Sequence, residues 1–328
     1  MVTLAETYSA RKLIVDSMEI VRLADDARQL EVSICPAMGN NAYDVRVKGQ
    51  PILMPPPGSL AEWQRTPTQA GNPFLAPWAN RLDGDAYWAN GKRYLVNPDA
   101  VAIRRDANGL PIHGLLLFAS AWQVTRLKAD EEAAEVTSRL EFWKHPEWMA
   151  QFPFAHTVEI TYRLAGGVLE VRTAIQNHSV EPMPLVIGFH TWYQIPGTPR
   201  DQWTVCLPVR EHYTLSPKVI PTGETTPVHL PDAISLAGRH LDDVFGAVDS
   251  NSEFSVEAQG RKVSVQFGPK YPIAIVYTPA GHDVVCFEPM TGIADGFNLA
   301  HQGLFNGLQS VPPGETWTES FWIRPTGF

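Results

Sequence analysis

Alternating hydrophobic and polar residues recur along the chain in short runs, and this pattern predicts β-strands. Residues 30–34, 43–47, 158–164 and 169–175 alternate with a period of two, which places their apolar side chains on one face of a strand. Further runs that favour strands cover residues 203–209, 262–268, 273–278, 283–288 and 316–323. The chain is therefore expected to consist mainly of sheet.

Turn signals connect several of these runs. Asn90-Gly91 lies between aromatic residues and predicts a type I′ hairpin, and Gly166-Gly167 separates two alternating runs and predicts a second hairpin. Helical signal is weak and is confined to residues 129–136 and 230–236. Many short strands with frequent turns predict an all-β fold, a large antiparallel sandwich of extended, twisted sheets.

The organisation of the chain favours a single domain over residues 1–328. The 28 prolines and 24 glycines are spread along its length, and no shift in composition or repeat of fixed period divides it. Residues 51–77 are rich in proline, glycine and small residues, which predicts a long surface excursion of a kind that is commonly functional. Residues 1–10 are expected to form a loose terminus.

Composition and charge narrow the classes of function. Hydrophobic residues make up 44% of the 328 positions, which is typical of a globular protein with a sizeable core. The formal net charge is −9 and there is no long run of Lys or Arg, which argues against nucleic acid and anionic membranes as partners. No apolar run reaches the roughly 18 residues of a membrane helix, and the N-terminus lacks the apolar segment of a secretory signal.

The spacing of the three cysteines and the absence of several motifs argue against further classes of function. Cys35, Cys206 and Cys286 are widely spaced and form no CxxC pair, which favours reduced thiols and a cytoplasmic location. The chain has no GxxxxGK[ST], no GxGxxG in a βαβ context, no HExxH and no GxSxG. Nucleotide, zinc and serine-hydrolase chemistry therefore has no support, and no metal ligands are assigned.

A histidine after an apolar run is the first candidate for chemistry. In residues 184–193, with the sequence PLVIGFHTWY, alternation places Gly188, His190 and Trp192 on one face of a strand. Gly188 has no side chain, so another group can come close to the imidazole. This position suits a general acid that works near neutral pH, and a core histidine bonded to backbone is the structural alternative.

A carboxylate at the end of another apolar run is the second candidate. Glu288 shares a strand face with Val284 and Cys286, so burial of that face would raise its pKa toward the range of a general base. Pro289 then ends the hydrogen-bonding ladder of the strand. The structural alternative is a solvated glutamate at a strand end.

Three further stretches place polar residues in apolar surroundings. Asn80 and Arg81 follow a loop rich in proline and aromatic residues, where an amide and a guanidinium are suited to hydrogen-bond vicinal hydroxyls. His113 precedes an apolar run, and Asp242 and Asp243 precede another. Each stretch also has an ordinary structural explanation: an arginine that holds loop carbonyls, a structural histidine, and a turn or helix cap.

Taken in order, these stretches resemble the aldose 1-epimerase (galactose mutarotase) family. That family has Asn-Arg after a proline-rich loop, then His-Gly, then Gly-x-His with aromatics, then Asp before Phe, then Glu-Pro. The matching positions are Asn80-Arg81, His113-Gly114, Gly188-Phe189-His190, Asp242 before Phe245, and Glu288-Pro289. The resemblance covers nearly the whole chain, about residues 25 to 325, and implies a β-supersandwich with an open sugar-binding cleft and no cofactor.

The resemblance implies an isomerase that interconverts the α and β anomers of a free aldohexose. Glu288 would be the general base that takes the proton of the anomeric hydroxyl, and His190 the general acid that protonates the ring oxygen. For this reaction His190 must begin protonated and Glu288 ionised. The positions that would bind the sugar are Arg81, His113, Asp242 and Asn80.

Two departures from the family pattern concern the substrate. The family histidine is often followed by Pro-Tyr-Phe, whereas Thr191-Trp192-Tyr193 follows His190, which affects the wall on which a sugar stacks. A related branch that acts on hexose 6-phosphates carries His-Gly-Phe-Ala-Arg, whereas three leucines follow Gly114 here. Arg104 and Arg105 are near in sequence and are expected to be surface charges.

Alternatives remain open at this point. A hexose-6-phosphate 1-epimerase would use the same fold and the same acid–base pair, and a non-catalytic sugar-binding protein would not need both Glu288 and His190. A polysaccharide hydrolase would need two carboxylates across one bond. The preferred aldose, the choice between Asp242 and Asp243, and the choice between monomer and homodimer are not decided.

Overall fold

Strands dominate the computed structural model, which describes residues 7–97, 99 and 103–328. Every pairing between the strands is antiparallel, as the sequence pattern predicted. The loose terminus expected over residues 1–10 lies partly outside the described residues, and its described part enters a strand at Tyr8.

The strands and helices have the following bounds. The strands are β1 (Tyr8–Val15), β2 (Met18–Asp25), β3 (Leu30–Cys35), β4 (Asn41–Val47), β5 (Gln50–Pro51), β6 (Phe74–Leu75), β7 (Ala86–Ala89), β8 (Lys92–Leu95), β9 (Gln123–Ala129), β10 (Ala134–Glu141), β11 (His156–Ala165), β12 (Val168–Asn177), β13 (Met183–Leu185), β14 (Gly188–Phe189), β15 (Trp192–Tyr193), β16 (Thr204–Cys206), β17 (Glu211–Leu215), β18 (Pro221–Pro227), β19 (Ile234–Ser235), β20 (Asp242–Gly246), β21 (Glu253–Ala258), β22 (Arg261–Phe267), β23 (Ile273–Tyr277), β24 (Val285–Met290), β25 (Gln309–Val311) and β26 (Thr316–Thr326). The helices are α1 (Leu60–Arg65), α2 (Pro146–Met149) and α3 (Gly296–His301), with 3₁₀ turns at Phe142–Lys144 and Arg200–Gln202.

Three sheets form the body of the protein. Five strands run in the order β1-β2-β3-β4-β5, and nine strands run in the order β19-β16-β21-β22-β26-β12-β11-β10-β9. The third sheet, of eight strands, runs β18-β17-β20-β23-β24-β14-β6, with β15 also paired to β24. The pairs β7–β8 and β13–β25 complete the pattern.

The nine-stranded and eight-stranded sheets pack face to face. Phe189 of β14 meets Phe321 of β26 with ring centroids 5.0 Å apart, and Phe287 of β24 meets Phe254 of β21 at 5.6 Å. The five-stranded sheet joins the same contiguous buried cluster, and β2 contacts β10 and β11. The result is the large antiparallel β-sandwich that the sequence predicted.

Both predicted hairpins are confirmed. Asn90 and Gly91 have φ values of 50° and 73° at the turn between β7 and β8, as a type I′ turn requires. Strands β11 and β12 pair along ten residues each around Gly166-Gly167.

The helical predictions are wrong. Residues 129–136 contain the turn between β9 and β10, because the carboxylate of Asp130 accepts hydrogen bonds from the N–H groups of Glu132 and Ala133 and closes a tight turn. Residues 230–236 contain β19. Helix α1 lies instead within the excursion of residues 51–77, where Ser59 and Glu62 form a capping box.

All three cysteines, Cys35, Cys206 and Cys286, are free. Among the described residues, no helix combines the length and the apolar character needed to cross a membrane.

Candidate active site

The centre of the eight-stranded sheet positions two carboxylates on the same side. Glu288 on β24 lies opposite Ile275 of β23, and Asp242 at the start of β20 lies opposite Tyr277 of β23. Because β23 lies between β20 and β24, the two carboxylates face one cleft from opposite sides of β23. The apolar run before Glu288 forms the buried strand that the sequence predicted, but the strand does not end at Pro289: it pairs with β23 as far as Met290.

His190 lies between β14 and β15, and three short strands, β13, β14 and β15, replace the single continuous strand expected over residues 184–193. Its backbone N–H donates to the carbonyl of Pro73 at 3.0 Å, which fixes the chain between β14 and β15. Gly188 is opposite Met290, and a Cβ added there would lie 2.5 Å from the carbonyl oxygen of Pro289. The missing side chain therefore allows β14 to approach β24, and with it His190 to approach Glu288.

The imidazole and the carboxylate meet at the floor of the cleft. His190 Nε2 is 3.3 Å from Glu288 Oε1, and the two side chains are 9% and 1% exposed. Trp192 stacks on the His190 ring with centroids 4.8 Å apart and an interplanar angle of 7°. The rings of Tyr277 and His113 meet the imidazole edge-on, at 5.9 Å and 5.4 Å.

Two neighbouring loops bring Arg81 and His113 to the same place. The residues Asn80 and His113 have φ values of 57° and 65°, and the N–H of His113 donates to the carbonyl of Asn80 at 2.9 Å. Arg81 Nε donates to Asp106 Oδ2 at 2.6 Å, and Arg81 Nη1 donates to Asn80 Oδ1 at 3.0 Å. The guanidinium is therefore held in one orientation beside the acid–base pair.

One cleft of about 720 Å³ contains all six residues that the sequence singled out: Asn80, Arg81, His113, His190, Asp242 and Glu288. The volume lies within the range of small-molecule sites. The carboxylate of Asp243 instead accepts from His212 Nε2 at 2.7 Å, while Asp242 lines the cleft. The structure thus separates the two members of the aspartate doublet.

Several cleft residues were missed from the sequence. Thr68 and Gln69 lie in the excursion of residues 51–77, which the composition marked as functional without indicating positions, and Tyr277 and His282 come from the opposite wall. Asp106, which holds Arg81, was also missed, because its stretch Asp-Ala-Asn-Gly has the composition of an ordinary turn.

Burial sets the protonation of the catalytic candidates. It raises the pKa of Glu288 well above its ordinary value, with Asp242 adding a like charge. Burial also lowers the pKa of His190 to about 3. Burial therefore favours the uncharged pair, with the proton on Glu288, whereas the sequence led us to expect an imidazolium beside a carboxylate.

Burial also shifts the pKa values of His113 and Asp242 toward their uncharged forms. Burial, with the positive charge of Arg81, lowers the pKa of His113 well below its ordinary value, which favours the neutral form of His113. The pKa of Asp242 is raised by loss of hydration and by the adjacent Asp243.

The basic residues nearby are directed elsewhere. Arg105 pairs with Asp85 at 2.7 Å, and the guanidinium of Arg104 lies 5.3 Å above the ring of Phe118. Both are exposed, as expected from the sequence. Among the described residues that line the cleft, Arg81 is the only Lys or Arg.

One cluster has the donor set of a metal site. His190, Cys286 and Glu288 offer one ligand atom each, all within 4.8 Å of one another. Burial raises the pKa of the Cys286 thiol well above its ordinary value, and the thiolate is the form that binds metals. A metal ion would therefore have to displace the proton of the buried thiol to bind here.

Comparison with known proteins agrees with this geometry. The profile of the family described as aldose 1-epimerase matches residues 21–324. A galactose mutarotase-like protein from Clostridium acetobutylicum has a similar structure, with 22% identity, coverage of 98% of this chain and 99% of the other, and a TM-score of 0.87. The galactose 1-epimerase of Lactobacillus acidophilus NCFM is 13% identical, with coverage of 98% of this chain and 99% of the other, and a TM-score of 0.77.

The uncharacterised protein YphB of Escherichia coli K12 is similar in sequence. It is 21% identical over 269 residues, which cover 76% of this chain and 82% of YphB. The similar structures share the fold, and the family profile extends over nearly all the described strands. The chain belongs to the aldose 1-epimerase family.

Proposed function

We propose that the protein is a mutarotase that interconverts the α and β anomers of a free aldohexose. The observation that carries this proposal is the pair of His190 Nε2 and Glu288 Oε1, 3.3 Å apart at the floor of a cleft that also contains Arg81 and Asp242. Mutarotation needs one proton removed and one delivered, and no nucleophile in the protein. The pair supplies those two transfers.

In the proposed reaction the pair opens and closes the sugar ring. Glu288 takes the proton of the anomeric hydroxyl while His190 gives a proton to the ring oxygen, so the ring opens to an aldehyde. Rotation about the C1–C2 bond exposes the other face of the carbonyl. Ring closure then returns one proton from Glu288 to the anomeric oxygen and one from the ring-forming hydroxyl to His190.

Ring opening and ring closure each begin with one proton on the His190–Glu288 pair, but the proton is on a different member of the pair. Ring opening needs ionised Glu288 and protonated His190, and ring closure begins with the uncharged pair that burial favours. The positive charge of Arg81 lowers the pKa of Glu288 and so favours the carboxylate that ring opening needs. Arg81 and Asp242 would hold the hydroxyls of the sugar.

A free sugar fits this cleft better than a phosphorylated one. Arg81 is the only Lys or Arg lining it among the described residues, and its Nε is already bonded to Asp106. A phosphate subsite generally uses additional basic groups or backbone N–H donors. We therefore propose neutral aldohexoses as the substrates.

Polarimetry tests the proposal. Freshly dissolved α-D-glucose or α-D-galactose should reach equilibrium rotation faster with the protein than without it at neutral pH. Acceleration with hexose 6-phosphates alone would contradict the proposed substrate class. Calorimetric binding of free sugars without any acceleration would contradict catalysis and indicate a sugar-binding protein.

A further inference from the structure

Trp192 is placed to act on the protonation of His190. The indole and the imidazole are nearly parallel, at 7°, with centroids 4.8 Å apart, and Tyr277 meets both rings edge-on at 6.1 Å and 5.9 Å. The face of an indole carries negative electrostatic potential and attracts a cation within about 6 Å of its centroid. A proton on His190 would place such a cation directly against it.

Two features of the environment oppose that proton. Burial and the charge of Arg81 disfavour the imidazolium, and His113 approaches the ring edge-on from another loop. Among the described residues, Glu288 and Cys286 of β24 and Tyr277 of β23 are the other titratable groups beside the imidazole, and Glu288 favours the imidazolium only when it is itself ionised. A further stabilising group beside the imidazole would therefore raise the fraction of His190 that can serve as an acid.

We propose that Trp192 is a positioning residue that stabilises the imidazolium form of His190 through its aromatic face and fixes the plane of the imidazole. This role goes beyond forming a wall for the sugar. The assignment of His190 as the general acid rests on the proposed function, whereas the stacking and its effect on the imidazole do not.

The backbone of Trp192 is held independently of its side chain. Its N–H donates to the carbonyl of Gly71 at 2.9 Å, and its carbonyl accepts from the N–H of Met54 at 2.8 Å. Trp192 also pairs with Cys286 across β15 and β24. Substitution of the side chain should therefore leave the strand in place, which makes the inference testable by mutation.

The direct test is a descending pH series of the ¹⁵N NMR shifts of the His190 imidazole, which report the ratio of imidazolium to neutral imidazole as the buried ring becomes protonated. We expect W192L to reduce the ratio of imidazolium to neutral imidazole by a factor of roughly 2 to 30, the range for a partly to fully desolvated cation–π contact. W192F should lie between W192L and the wild type, because phenylalanine keeps a smaller aromatic face. W143L, which removes an exposed tryptophan elsewhere, is the control.

Either of two results would overturn the inference: His190 shifts in W192L that equal those of the wild type, or a W192F spectrum identical to that of W192L. Kinetics provides a second readout, in which kcat of W192L falls by more than KM rises and W192F recovers part of the loss. A wild-type protein without mutarotase activity would contradict the proposed function but would leave the NMR result to decide the role of Trp192.

Discussion

At the residue scale, the site depends on one proton shared by two buried groups. His190 and Glu288 face each other at 3.3 Å, and burial shifts their pKa values in opposite directions, downward for the imidazole and upward for the carboxyl. Groups this close titrate as a unit, so the catalytically relevant quantity is the charge of the pair.

This coupling predicts an unusual pH profile. An isolated histidine acid would lose its proton as the pH rises through about 6.5, and activity would fall with it. Here the raised pKa of Glu288 favours retention of the single proton on the pair as the pH rises. We expect kcat/KM, measured by polarimetry, to stay constant between about pH 5.5 and 7.5. A decline centred near the ordinary histidine pKa would show that His190 titrates alone.

At the element scale, the close approach of β14 to β24 creates the pair. Gly188 is the residue that permits it, since an added Cβ would collide with Met290 and lie 2.5 Å from the Pro289 carbonyl. β14 pairs with β24 through Gly188 and Met290, and β15 pairs with the same strand through Trp192 and Tyr193.

We predict that Gly188→Ala separates these strands. The expected result is a loss of stability of roughly 1–3 kcal/mol from overpacking and a larger proportional loss of activity, because His190 moves away from Glu288. Thermal denaturation and polarimetry measure the two effects. Gly296→Ala is the control, since its added Cβ meets no atom closer than 3.3 Å. Unchanged activity in G188A would disprove this account of the glycine.

A second element, the start of α3, fastens the loop that carries Arg81. The N–H of Asp295 donates to the carbonyl of Arg81 at 2.7 Å, and its carboxylate accepts from the N–H of Asp83 at 2.9 Å and from Asn298 Nδ2 at 2.6 Å. Asp295 is 3% exposed, and burial raises its pKa from 3.8 to about 6.

This shift predicts a pH dependence of stability. Since the pKa of Asp295 is higher in the folded chain, its contribution to the free energy of unfolding is fully present below about pH 4 and is lost as the pH rises through 6. Urea unfolding should show the wild type losing roughly 2–3 kcal/mol relative to Asp295→Asn between these limits. The exposed Asp232→Asn should show no such difference. Parallel stability curves for the wild type and D295N would refute the shift.

Local patterns predicted the elements better than their contacts. Alternation located β11 and β12 because a half-buried strand imposes a period of two, and Asn90-Gly91 specified its turn because few residues adopt positive φ. The ion pair of Arg81 with Asp106 could not be predicted from the sequence, because the loop that carries Asp106 has the composition of an ordinary turn. The stacking of Trp192 on His190 depends on a break in the strand that alternation does not predict.

At the scale of the whole molecule, one buried cluster runs through all three sheets. It contains Val21 of the five-stranded sheet, Phe189 of the eight-stranded sheet and Phe321 of the nine-stranded sheet. The outer face of the five-stranded sheet has a smaller cluster of its own, in which Trp63 of α1 packs near Cys35. We propose that this shared core makes the chain a single folding domain.

A single domain predicts a single cooperative transition. Near-UV circular dichroism, tryptophan fluorescence and far-UV circular dichroism should give the same midpoint in urea, because the sheets cannot separate without exposing the common core. Two resolved transitions would indicate that the five-stranded sheet unfolds independently, in conflict with the proposed single domain.

The central claim is that Glu288 is the general base of an acid–base pair with His190, and Glu288→Gln tests it most directly. The substitution keeps the shape of the side chain and removes the proton acceptor. Glu224→Gln, at an exposed position of β18, is the matched control. With a sugar that the wild type accepts, polarimetry should show a loss of roughly 10²–10⁴-fold in kcat for E288Q and none for E224Q. A folded E288Q protein that turns over sugar at the wild-type rate would contradict the account.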